Sequence, residues 1–151
     1  MAYDKGEFTD GWRYLEVHPV SLHYDLSLGE GAKWDEEDVD FQITTSAMGQ
    51  GMGNTLVIVS NVPSANCAAK LCNDFTLNGY SDWFLPSSDE AVAVANSLLG
   101  IDINLQTCWT STHVWNTAYA ISFLAAAEPY FLVLPNTSKN SYRKVYPVRK
   151  Y

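Results

Sequence analysis

Leu77-Asn78-Gly79-Tyr80-Ser81-Asp82-Trp83-Phe84-Leu85-Pro86-Ser87-Ser88-Asp89-Glu90 joins a turn, an extended segment and a helix start with no spacer between them. Asn78-Gly79 tolerates the positive φ angles of a tight reversal, so residues 77–80 read as a turn. Asp82-Trp83-Phe84-Leu85 follows as an extended run closed by Pro86. Ser87 and Glu90 have the spacing of a capping box, in which the serine oxygen accepts the amide of residue 90 and the glutamate reaches back. Ala91, Val92, Val94, Ala95, Leu98 and Leu99 continue at helical spacing until Gly100, so this stretch predicts a helix that begins after Ser87 and stops at Gly100.

Upstream, Ala65, Ala68, Leu71, Cys72 and Phe75 recur at helical spacing after Pro63-Ser64 and predict another helix over 64–75. Leu56 to Val59 is too short an apolar run for periodicity to choose between helix and strand. Gly49, Gly51 and Gly53 allow tight backbone turns but match no phosphate-binding loop. Trp12, Tyr14, Leu15 and Val17 form an early strand stopped by His18-Pro19. After Gly100 the chain is β-rich, with strands expected over 108–112, 119–123, 130–134 and 145–151, separated at Pro129, Pro135-Asn136 and Lys139-Asn140. Strands, then helices, then strands predict an α+β fold with two helices packed on a twisted antiparallel sheet.

The chain has 151 residues, 47% of them hydrophobic, which suits one domain over 1–151. A net charge of −8 repels phosphate backbones and argues against nucleic acid as a partner. The longest apolar stretch, 118–135, is interrupted and falls short of the roughly 20 residues of a membrane span, so no direct membrane insertion is expected. Met1-Ala2 runs into Tyr3-Asp4-Lys5-Gly6 without a signal-peptide pattern. Cys67, Cys72 and Cys108 include no CxxC pair and are expected to be buried free thiols; a single disulfide would join Cys108 to one of the others. Residues 29–40, with Glu30, Asp35, Glu36, Glu37, Asp38 and Asp40 around Lys33 and Trp34, read as an exposed loop too charged for the core. They lack the ligand alternation of an EF-hand, and no cofactor or metal is assigned.

Five stretches in order carry a resemblance: Asp4-Lys5-Gly6 with Asp10-Gly11-Trp12-Arg13-Tyr14-Leu15-Glu16; Ala68-Ala69-Lys70-Leu71-Cys72-Asn73-Asp74; the segment 77–90; Trp109-Thr110-Ser111-Thr112; and Ser138-Lys139-Asn140-Ser141-Tyr142-Arg143 with Pro147-Val148-Arg149. Together they resemble the Lcl C-terminal domain family of bacterial surface and secreted proteins, named for a collagen-like adhesin. The resemblance implies a C-type-lectin-like fold, an extracellular or cell-surface location, and ligand contacts near the C-terminus. The chain departs from the pattern at His113 and Cys108 and over the apolar 114–135, and this constant frame around a divergent insert is similar to the variable proteins of diversity-generating retroelements. Glu128-Pro129-Tyr130 and Trp115-Asn116-Thr117 each miss a ligand position of the calcium-dependent sugar motifs.

The contact residues expected from this reading are His113, Trp115, Asn116, Thr117 and Tyr119, with Tyr130 and Asn136, because the segment mixes aromatic and amide side chains between two scaffold motifs. The expected partner is a protein or a glycan. Phe131-Leu132-Val133-Leu134 reads as core first and as a homo-oligomer contact second. Trp12, Trp83 and Trp109 read as core, and Asp82, Arg143 and Arg149 first as buried ion pairs that lock the closing strands and second as contacts for an anionic ligand. His18, His23 and His113 lack catalytic partners at a recognisable spacing, and no serine sits in a nucleophile elbow. A non-enzymatic domain is expected; an enzyme like the sulfatase-modifying branch of the lectin-like superfold would need Cys108 accessible and acidic.

Overall fold

A computed structural model describes residues 2–97, 107–123 and 131–151. Among them the chain is α+β, with three helices and two three-stranded antiparallel sheets. The first sheet has the order β1 (Tyr3–Thr9), β2 (Trp12–Val17), β6 (Val148–Lys150), so the final strand pairs with one of the earliest. The second has the order β3 (Cys108–Val114), β4 (Thr117–Phe123), β5 (Phe131–Ser138). Two sheets therefore replace the one expected.

The helices are α1 (Gly51–Asn61), α2 (Ala68–Asp74) and α3 (Ser88–Ser97). α2 and α3 were legible, although α2 starts four residues later than its Pro63-Ser64 signal. The expected end of α3 at Leu98, Leu99 and Gly100 lies outside the described residues. α1 is the helix that hydrophobic periodicity misses, and its inward face explains why. Gly51, Asn54, Thr55 and Ile58 are its buried residues, whereas Leu56 is exposed. The face has helical spacing but is built from small and hydrogen-bonding side chains. Asn54 donates to the Thr45 carbonyl at 2.7 Å and to Ser111 Oγ at 3.1 Å, and Thr55 Oγ1 accepts the Leu85 amide at 3.0 Å.

The capping box forms as the spacing predicts. Ser87 N donates to Glu90 Oε2 at 2.8 Å and Glu90 N to Ser87 Oγ at 3.3 Å, with both residues fully buried. Gly51 lies against this joint, where a Cβ would overlap Glu90 Oε2 and stand 2.8 Å from both Phe84 Cε2 and Ser87 N. The 77–80 turn also forms, with Asn78 and Gly79 at φ 53° and 82° and paired bonds between Leu77 and Tyr80 at 3.0 Å.

Trp12, Trp83 and Trp109 are buried, as expected. The acidic loop corrects the sequence reading: Trp34 and Asp35 are both fully buried. The Asp35 carboxylate accepts the amides of Glu37 at 2.9 Å and Val39 at 2.7 Å, so its charge is spent on curling its own loop. Trp34 is then free to enter the core and donate from Nε1 to the Thr110 carbonyl at 2.8 Å.

All three cysteines are buried and free. No helix among the described residues is long and apolar enough to cross a membrane.

Candidate functional site

Trp109-Thr110-Ser111-Thr112 is the joint on which the second sheet is mounted. Trp109 Nε1 donates to the Ala32 carbonyl at 2.9 Å, Ser111 N to the Pro86 carbonyl at 2.7 Å, and Thr112 Oγ1 to the Thr45 carbonyl at 3.2 Å. Thr112 Oγ1 also accepts the Ser88 amide at 2.9 Å. β3 is accordingly buried along nearly its whole length.

Past this joint the chain leaves the core. Val114 pairs with Thr117 across a two-residue turn made by Trp115 and Asn116. Trp115 takes φ 55°, a left-handed conformation that bulky residues rarely adopt, and its side chain is 65% exposed. Thr117 closes the turn by donating from Oγ1 to the Val114 carbonyl at 3.1 Å.

Tyr119 stands where the register breaks on both sides of β4. Along β3 the pairing moves four residues, from Trp109 to His113, while β4 moves two, from Ala120 to Ala118. Along β5 it moves three, from Leu134 to Thr137, over the same two residues of β4. Bulges in both neighbours therefore face Tyr119, and Thr110 Oγ1 ties its carbonyl at 2.9 Å. Pro135 and Asn136 occupy the β5 bulge; there a proline breaks no regular ladder bond, so β5 continues through the pair expected to end it.

Of the expected contact residues, Trp115 and Asn116 are exposed at the turn, Thr117 and Tyr119 are half-buried beside it, and Asn136 is exposed opposite Tyr119. Tyr130 lies outside the described residues, as does the Glu128-Pro129-Tyr130 half-motif. His113 is a correction. Its side chain is fully buried between Trp34 and Phe41, with ring centroids at 4.9 and 4.5 Å, where no ligand can touch it. Thr44 Oγ1 donates to the Ser111 carbonyl at 2.5 Å and accepts the His113 amide at 2.9 Å, and His113 Nδ1 lies 3.0 Å from the same oxygen. Nε2 faces the interior without a hydrogen-bond partner among the described residues. Burial holds His113 at about 4, helped by the Lys139 ammonium and opposed by the Phe41 carbonyl and the charges of Asp40 and Asp35.

Lys139 is a buried basic side chain of the same cluster, to which sequence reasoning gave no functional role. Its Nζ lies 4.9 Å from the Trp34 ring centroid and 5.5 Å from that of Phe41, while its carbonyl accepts the Trp34 and Asp35 amides at 2.9 and 3.3 Å. It thereby fixes the acidic loop beneath the hairpin. The expectation that Phe131-Leu132-Val133-Leu134 is core is corrected at two positions: Leu132 and Val133 are 45% and 38% exposed, on a strand at the edge of its sheet.

The ion-pair expectation divides. Arg149 bonds Asp82 at 3.1 and 3.3 Å and Glu16 at 3.2 Å, whereas Arg143 meets no carboxylate among the described residues. Cys108 is buried, and desolvation pushes its thiol up to about 12, the opposite of what a nucleophilic thiolate requires. No family model, curated protein or solved structure matches this chain.

Proposed function

We propose that the chain is a non-enzymatic recognition domain of a bacterial surface or secreted protein, which binds a protein or glycan through Trp115, Asn116, Thr117, Tyr119 and Asn136. The observation that carries this reading is the turn itself: a strained, solvent-facing tryptophan stands at the end of a strand that is otherwise sealed into the core. A folded chain has no internal use for that arrangement, whereas binding surfaces use rigid exposed aromatics beside adaptable amides. The double bulge at Tyr119 supports the same reading, since bulges re-aim side chains beside functional sites.

The likeness to the Lcl C-terminal family and to C-type lectins is part of this proposal. It draws support from the roles of the quoted motifs, which supply β2, α2, the capping box and the β3 joint, while the divergent insert supplies the exposed turn.

The test is a screen of the 151-residue chain against a glycan array and a panel of cell-surface proteins, followed by Trp115→Ala and Tyr119→Ala. Each substitution is expected to weaken a captured ligand by about 10-fold or more while the melting temperature stays within a few degrees. Unchanged affinity, or a melting loss as large as for a core tryptophan, would overturn the assignment.

A second reading, a structural module that self-associates, is favoured only by Leu132 and Val133 on the β5 edge. Sedimentation showing a monomer at high protein concentration would remove it.

A further inference from the structure

The sequence holds three arginines, and two of them are forked onto carboxylates: Arg13 onto Asp4, Arg149 onto Asp82 and Glu16. Arg143 is different. It has no carboxylate partner among the described residues, although the chain carries eight more negative charges than positive ones. Among the described residues its Nη1 donates to the carbonyl of the adjacent Tyr142 at 3.0 Å, and its Nε is buried with no acceptor. A guanidinium with no carboxylate beside it gains from an anionic acceptor that reaches its free N–H groups.

Arg143 lines a cavity of about 370 Å³, together with Glu30, Thr107, Tyr142 and Lys144. That volume lies in the range of small-ligand sites. Backbone bonds hold the walls without help from the guanidinium. Arg143 and Ala32 exchange amide-to-carbonyl bonds at 3.1 Å each, the Lys144 carbonyl accepts the Trp109 amide at 3.0 Å, and the Lys144 amide donates to Thr107 at 3.2 Å. Lys144 is ion-paired with Glu30, so their charges cancel, and among the described lining residues Arg143 supplies one uncompensated positive charge.

We infer that this cavity binds a single carboxylate group of a ligand, with Arg143 as its fork. The charge of the site selects the class. A monoanion balances it, whereas a phosphate dianion would add a second negative charge beside Glu30 in an acidic protein. Thr107 precedes the first residue of β3 and Trp115 follows the last, so the pocket stands at the opposite end of that strand from the exposed turn and does not depend on it.

The experiment is a titration of the ¹⁵N-labelled chain with sodium acetate, against sodium chloride and sodium phosphate at matched ionic strength, read at the amides of Thr107, Arg143 and Lys144. Acetate is expected to give saturable shifts that chloride does not, and phosphate weaker ones. Arg143→Gln is expected to raise the half-saturating acetate concentration about tenfold or more, and Arg143→Lys, which keeps the charge and loses the fork, severalfold. If the glutamine variant loses its dispersed spectrum, the lysine variant decides the matter alone. Shifts that are linear and equal to those of chloride, saturation unaltered by substitution at Arg143, or tighter binding of phosphate than acetate would each overturn the inference.

Discussion

The loop around Trp34 and the turn around Trp115 both lean on β3, one beneath it and the other as its continuation, and their indoles end in opposite environments. Trp34 is fully buried although acidic residues surround it in the chain; Trp115, between Val114 and Asn116, is 65% exposed. The difference lies in where the polar groups go. Asp35 turns its carboxylate onto the amides of Glu37 and Val39, and the Lys139 carbonyl takes the Trp34 amide, so the loop carries the ring inward with its backbone satisfied. At Trp115 the strand has run past its last buried contact, and a two-residue turn leaves the ring nowhere to pack. Burial follows hydrogen-bond closure here more closely than it follows local composition.

Substituting the two tryptophans should separate them most. Trp34→Ala is expected to lose about 3–5 kcal/mol in urea unfolding, since it opens a cavity and leaves the Thr110 carbonyl without its donor. Trp115→Ala is expected to change stability by about 0.5 kcal/mol or less. Equal losses would erase the contrast.

Acid should act through the same loop. His113 stands at about 4 in the fold against 6.5 for an ordinary imidazole, so between those values the unfolded chain takes a proton that the fold refuses. The contribution of neutral His113 is complete above about 6.5, declines as pH falls, and levels off below about 4, with a span of up to about 3 kcal/mol. Denaturant midpoints measured from pH 7 to 4 are expected to fall more steeply for the native chain than for His113→Asn. Parallel curves would place the titrating group elsewhere.

Two glycines of α1 give a smaller contrast of the same kind. Gly51→Ala is expected to lose about 1–3 kcal/mol because its Cβ would enter the capping box, while Gly53→Ala meets nothing within 4 Å and is expected to gain up to about 1 kcal/mol from helix propensity. Thermal melts of the pair check both signs.

What could be read from sequence was local. The Ser87–Glu90 box and the Asn78-Gly79 turn each depend on partners within a few residues, and each forms where its spacing places it, while the early strand at Trp12 was legible from its own run of β-formers. α1 was hidden because Asn54 and Thr55 occupy its inward face and find their partners in distant segments. Within the candidate site, Trp115 and Asn116 could be anticipated from the break between scaffold motifs, but His113, two residues away, could not be told from them.

The chain's own order of residues therefore determined the α+β class, two of the three helices among the described residues, and the buried scaffold tryptophans Trp12, Trp83 and Trp109. Tertiary structure alone decided that Trp34 and His113 turn inward and that Leu132 and Val133 stay out. The physical reason is distance along the chain: Trp34 meets Thr110, Thr44 meets His113, and Asn54 meets Ser111 across separations of 76, 69 and 57 residues. A hydrogen bond that closes only after folding leaves no periodicity behind in the sequence.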